Sequence, residues 1–115
     1  MQQECIFCKI VSRQIPAKII YEDEHLIVFP DINPAAPVHV LIVPKRHIPN
    51  LLETGAEDIP LLGHVMAVVA RLARELGLEE DGFRTVVNTK TNGGQTVHHI
   101  HWHLLGGRFM TWPPG

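Results

Sequence analysis

Cysteine, tyrosine and excess charge are all scarce in this chain. Its 115 residues include two cysteines and one tyrosine, and 10 basic side chains against 12 acidic ones leave a formal charge of −2. The cysteines, Cys5 and Cys8, are too few and too close to form a disulfide framework, which leaves metal binding, redox chemistry and plain burial open. Without a basic excess there is no electrostatic footprint of a protein that binds duplex nucleic acid. No apolar run approaches the roughly 18 residues of a membrane helix, and Met1-Gln2-Gln3-Glu4 lacks the basic-then-apolar layout of a secretory signal. A soluble cytoplasmic protein with no membrane partner is therefore expected. Repeats, linkers and low-complexity segments are also missing, and 115 residues is the size of one domain, so residues 1–115 are expected to share one core.

Histidine is the abundant residue. There are eight, more than the seven Phe, Tyr and Trp together, and four lie between positions 98 and 103. Protonating all eight would move the net charge from −2 to +6, so titration near neutral pH can change the protein's field in sign.

Hydrophobic periodicity predicts an α+β protein. Ile6, Phe7, Ile10 and Val11 sit three to four apart within Glu4–Arg13, a short helix stopping before Pro16. Lys18–Tyr21 and Leu26–Phe29 read as a hairpin, and Val38–Val43 as a strand buried on both faces and ended by Pro44. From Glu57 to Leu76, residues Leu61, Leu62, Val65, Met66, Val69, Leu72, Ala73 and Leu76 mark one helical face, with Asp58 and Pro60 at its start and Gly77 at its stop. Phe83–Asn88 reads as a strand, Thr89–Thr96 as a polar turn and Val97–Leu105 as the last strand. Five strands and short connections predict a mostly antiparallel sheet with one long and one short helix, covered by helix on one face.

Within Val97–Leu105, strand alternation puts His99, His101 and His103 on one face and His98, Ile100, Trp102 and Leu104 on the other. Surface histidines are the plain alternative, but burying three rings in strict alternation is costly without a task. Two tasks fit: a three-histidine metal site with an open position for water, or nucleophilic catalysis by a central imidazole on phosphorus. The preceding Thr91-Asn92-Gly93-Gly94-Gln95-Thr96 couples permissive glycines with amide and hydroxyl donors, the composition of a phosphate cradle.

The run His99-Ile100-His101-Trp102-His103-Leu104-Leu105 resembles the signature of the histidine triad superfamily of nucleotide hydrolases and transferases. Ile15-Pro16-Ala17-Lys18-Ile19-Ile20, Asp31-Ile32-Asn33-Pro34, Ala36-Pro37-Val38-His39, Val43-Pro44-Lys45, Asn88, Gly93-Gly94-Gln95 and the tail from Gly106-Gly107-Arg108 to Trp112-Pro113-Pro114-Gly115 extend the match. They resemble the Hint branch, the nucleotide-binding proteins that act as purine nucleoside phosphoramidases.

That resemblance implies a sheet extended across a homodimer and cleavage of the P–N bond of purine nucleoside 5′-phosphoramidates of the AMP-amine or AMP-lysine type, with AMP and GMP as ligands. Dinucleoside polyphosphate hydrolysis, nucleotidyl transfer and non-enzymatic nucleotide scaffolding are the alternatives. It also implies catalytic roles for His101 as nucleophile, His99 through its carbonyl, and His103 and His39. Asn88, Gly94, Gln95, Thr96 and His103 would hold phosphate. Asp31 would take the ribose, Ile32, Phe7, Ile10, Phe29 and Leu41 would line the base pocket, and Trp112 would reach the partner subunit. Thr96 stands where many Hint proteins carry serine, and His98 where tyrosine is usual. Zinc-binding members of the superfamily use positions matched here by Cys5, Cys8, His47 and His99, implying a structural zinc and no organic cofactor.

Overall fold

Alternating apolar residues on the middle strands send side chains to both faces of a single sheet. The computed structural model describes residues 5–115. Its elements are helix α1 (Ile6–Val11), strands β1 (Tyr21–Glu22), β2 (Leu26–Pro30) and β3 (Val38–Pro44), helix α2 (Ile59–Glu75), strand β4 (Phe83–Val87), the single turn α3 (Lys90–Gly93) and strand β5 (Trp102–Gly106). The sheet runs β1-β2-β3-β5-β4, and every neighbouring pair is antiparallel. β5 thus slots between β3 and β4, which the α2 crossover connects.

One face, carrying Val28, Val40, Ile42, Trp102 and Leu104, packs on α2 through Val65, Val69 and Leu72. The other face, carrying Ile27, Phe29, Leu41 and Val43, packs on Phe7 and Ile10 of α1. Helix therefore covers both faces, not one, because β2 and β3 are apolar on both sides. The α2 face is also rotated from the expected stripe: Val68 is 3% exposed and Met66 48%. The helix begins after a 3-10 turn, Ala56–Asp58, where the Asp58 carboxylate accepts the Gly55 N–H and pairs with Arg46. It ends where Gly77 takes a positive φ of 78°. Glu4, at the start of the expected first helix, lies outside the described residues.

The last strand is shorter than expected. β5 starts at Trp102, paired with Ile42, and continuing the ladder would bring Ile100 opposite Pro44, which has no N–H to donate. Residues 97–101 therefore leave the ladder, and Ile100 N–H donates instead to Ile48 O at 2.6 Å. Alternation still holds through this stretch: Ile100, Trp102 and Leu104 join the α2 core.

Candidate active site

His101 and His103 emerge on the α1 face, at the end of the sheet where β5 loses its ladder. Phe7 of α1 stands edge-on to His101, ring centroids 5.0 Å apart, and His101 and His103 are 5.1 Å apart. His39, on neighbouring β3, completes the group with its Nε2 2.9 Å from His103 Nδ1.

Backbone groups decide which ring nitrogens carry protons. A carbonyl can only accept, so His101 Nδ1–H donates to His99 O at 2.7 Å and Nε2 keeps its lone pair. A backbone N–H can only donate, so His39 Nδ1 accepts from Ala35 N–H at 3.0 Å and its proton sits on Nε2. That proton is donated to His103 Nδ1, leaving His103 with a free Nε2–H. The site thus holds a bare nitrogen on His101 beside a donor on His103.

Burial keeps these rings neutral. It lowers the His101 pKa, opposed by the hydrogen bond to His99 O and by the Asp31 charge. His103 is pushed down to about 4, by burial first and then by His101 and His39. His39 is lowered by burial against the pull of Asp31, whose Oδ2 lies 3.4 Å from His39 Nε2. The neutral form of His101 is therefore favoured below the usual histidine value.

His99 turns away from this group. Its Nε2–H donates to Pro44 O at 2.7 Å, which leaves Nδ1 free to ligate. That nitrogen lies 3.3 Å from Cys5 Sγ, 3.6 Å from Cys8 Sγ and 3.1 Å from His47 Nδ1, and Cys8 Sγ is 3.2 Å from His47 Nδ1. All four ligand atoms lie within 4.8 Å of one another. A tetrahedral Zn²⁺ with bonds of roughly 2.0–2.3 Å separates its ligands by about 3.3–3.8 Å, so the donor set fits a closed Cys₂His₂ site. The triad rings consequently do not converge on one ion, and the three-histidine metal site is replaced by two separate clusters joined through His99.

The expected phosphate loop is built differently from the sequence reading. Gln95 is buried and spent on structure: its amide donates to Pro49 O at 2.7 Å and Val97 O at 3.0 Å, and its Oε1 accepts from Lys90 N–H at 2.8 Å. Gly94 N–H is taken by Thr91 O at 3.0 Å, and Gly94 sits at a φ of 80°, where its lack of Cβ matters. Gln95 therefore braces the loop and has no amide proton left for phosphate. Thr96 is exposed and faces a cleft of about 500 Å³ shared with Cys5, Ile6, His47, Pro49, Val97 and His98. Asn88, at the end of β4, packs against Gly93, where an added Cβ would lie 3.6 Å from its backbone.

Of the base-pocket candidates, Ile10, Phe29 and Leu41 are buried in the α1-side core, whereas Ile32 is 91% exposed. Trp112, 78% exposed, sits under Arg84 at 5.8 Å. His64 holds Asp23 at 2.7 Å in the β1–β2 turn, outside the site. The anchoring groups, the Ala35 N–H and the Pro44 and Ile48 carbonyls, left no mark in the sequence, because almost every residue type carries both.

The chain matches the HIT domain family over residues 12–110. It belongs to that family. A HIT-like protein of Synechococcus elongatus described as uncharacterized is 54% identical over 115 residues, the whole of both chains. A purine nucleoside phosphoramidase of Escherichia coli K12 is 47% identical over 108 residues, 94% of this chain and 91% of that one. A HIT family hydrolase from Legionella pneumophila superposes with a TM-score of 0.95 at 48% identity, covering 97% of this chain and all of that one. A Zn-bound histidine triad family protein from Mycobacterium smegmatis gives 0.79 at 40% identity, covering 94% and 78%. Among the described residues, no helix of this HIT protein is long and apolar enough to cross a membrane.

Proposed function

We propose that this HIT protein hydrolyses the P–N bond of purine nucleoside 5′-phosphoramidates in two steps through His101. The observation that carries the reading is the His101 ring held by its Nδ1–H···O bond to His99, with a bare Nε2 beside the His103 donor. The phosphoramidase relative at 47% identity supports the substrate class.

In the first step Nε2 of His101 attacks the α-phosphorus and the P–N bond breaks. The departing nitrogen is hydrogen-bonded by His103 Nε2–H, takes its proton from a water molecule and leaves as a neutral amine, with hydroxide left at the intermediate. The nucleotidylated His101 is an imidazolium whose positive charge is stabilised by the His99 carbonyl. The hydroxide then attacks phosphorus and the bond from phosphorus to His101 Nε2 breaks, freeing nucleoside monophosphate and neutral His101. Asp31, adjoining His39, would accept ribose hydroxyls.

Cys5, Cys8, His47 and His99 would hold Zn²⁺, which in a four-ligand site supplies structural bracing of α1 against the sheet. A homodimer is part of the same reading, supported by Phe83 on edge strand β4 at 43% exposure and by Phe109 and Trp112 at 86% and 78%.

The deciding assay compares an AMP-amine conjugate with a diadenosine polyphosphate and traps acid-labile nucleotide on the protein. Faster turnover of the conjugate is expected, with trapping lost and rate reduced at least about 10³-fold in His101→Ala. Normal turnover by that variant would sink the covalent mechanism.

A further inference from the structure

The proton order of the His39–His103 pair rests on one backbone N–H, and that N–H belongs to a loop held from outside. Asp31–Pro37 connects β2 to β3. Within it, Ala35 uses both main-chain groups: its N–H donates to His39 Nδ1 at 3.0 Å, and its carbonyl accepts from Arg108 Nε at 3.1 Å. Arg108 can reach back because Gly107, at the end of β5, takes a φ of 92° with Pro37 directly over it; a Cβ there would lie 2.9 Å from the proline ring. The guanidinium's remaining bond, from Nη1, goes to its neighbour Phe109 O at 3.0 Å.

We propose that Arg108 is a positioning residue that holds the Ala35 main chain so that His39, and through it His103, each keep a single tautomer. With the Ala35 N–H in place, His39 must carry its proton on Nε2, and the Asp31 carboxylate 3.4 Å away favours the same nitrogen. His39 then donates to His103 Nδ1, and His103 must present Nε2–H. Released from Arg108, Ala35 no longer fixes His39 Nδ1. Both rings can then invert, leaving His103 Nε2 bare and unable to donate to a leaving nitrogen. Arg108 does this from outside the site, without touching a reacting atom. The inference rests on the reading of His103 as the donor in P–N cleavage, although the tautomer lock itself is a property of the resting protein.

The test is ¹⁵N NMR of the histidine rings in ligand-free wild-type protein and in Arg108→Ala, Arg108→Lys and Ala35→Pro, with kcat and KM on an AMP-amine conjugate. Arg108 is exposed, so its replacement leaves the core intact. In wild type, His39 should show a protonated Nε2 and a bare Nδ1, and His103 the same. Arg108→Ala should move both pairs of signals toward averaged values while those of His101 stay fixed. The competent fraction, and with it kcat, should fall about three- to tenfold at unchanged KM. Lysine, which keeps one donor, should restore most of the loss, and Ala35→Pro, which removes the N–H itself, should give the larger effect. Unmoved His39 and His103 signals in Arg108→Ala would overturn the proposal. Wild-type protein that shows the tautomer shifts on mutation but never cleaves the conjugate would overturn the functional reading and leave the lock standing.

Discussion

His101 is a buried ring with two unlike nitrogens, and its surroundings set what each can do. Because burial lowers its pKa, the neutral form persists below the usual histidine value of about 6.5. The acid limb of kcat/KM should therefore lie below pH 6.5, a displacement that a pH–rate profile between 4 and 8 would read directly. A decline centred at or above 6.5 would mean that the ring is not desolvated as its contacts with Phe7 and His103 indicate. At this scale the sequence was readable for side chains that do chemistry and silent on what orients them. His101, His103, His39 and Asp31 come together as their motif implies. Gln95, chosen for its amide donors, spends them instead on Pro49 and Val97, since a buried amide is stable only when its hydrogen bonds are made. Ile10, Phe29 and Leu41 have the composition of a base pocket and the burial of a core, a distinction that composition does not contain.

α1 spans only six residues, too short to be stable alone, and is held by what it packs on. Phe7 and Ile10 bury its inner face, and Cys5 and Cys8 bring two sulfurs to His47 and His99. Without metal the Cys8 thiol is pushed up to about 11, chiefly by burial and then by Cys5, so an ion that deprotonates both thiols would bind the helix end far more firmly. Cys8→Ser should lose bound zinc by elemental analysis and lower the melting temperature by about 10 °C or more, while chelation of wild type should erode turnover slowly. Equal melting curves with no metal in either protein would refute the zinc assignment. The element boundaries follow similar logic. β5 starts at Trp102 because its next ladder partner would be Pro44, which cannot supply the bond, while β3 itself runs on to Pro44 against Leu26 of β2. The alternation pattern gave the correct face for each residue and overestimated how far the strand runs.

For the whole molecule, the depressed histidines make stability depend on pH. An unfolded His103 takes up a proton near pH 6.5, whereas the folded one waits until about 4, so between those values the unfolded chain binds more protons. Stability should be fully present above pH 6.5 and fall as pH drops toward 4, by up to about 3 kcal/mol for this ring, visible as a lower urea midpoint at pH 4.5 than at pH 7. A midpoint unchanged across that range would contradict the burial of the group. Light scattering should return twice the chain mass, and Trp112→Ala should raise KM more than it lowers kcat, as expected of an exposed tryptophan that reaches the partner subunit's site. A monomeric mass would remove the partner-subunit role.

The sequence by itself determined the α+β class and the five strands, and it put His99, His101 and His103 on one face, because periodicity is a local property. The motif resemblance already separates His101 and His103 from a Cys5, Cys8, His47 and His99 set; only the tertiary structure decided that both sheet faces are covered and which nitrogen of each ring carries its proton. Those outcomes depend on the carbonyls of Pro44 and His99 and on the N–H of Ala35. A carbonyl is common to every residue type and an N–H to every one but proline, and only the fold places them against particular rings.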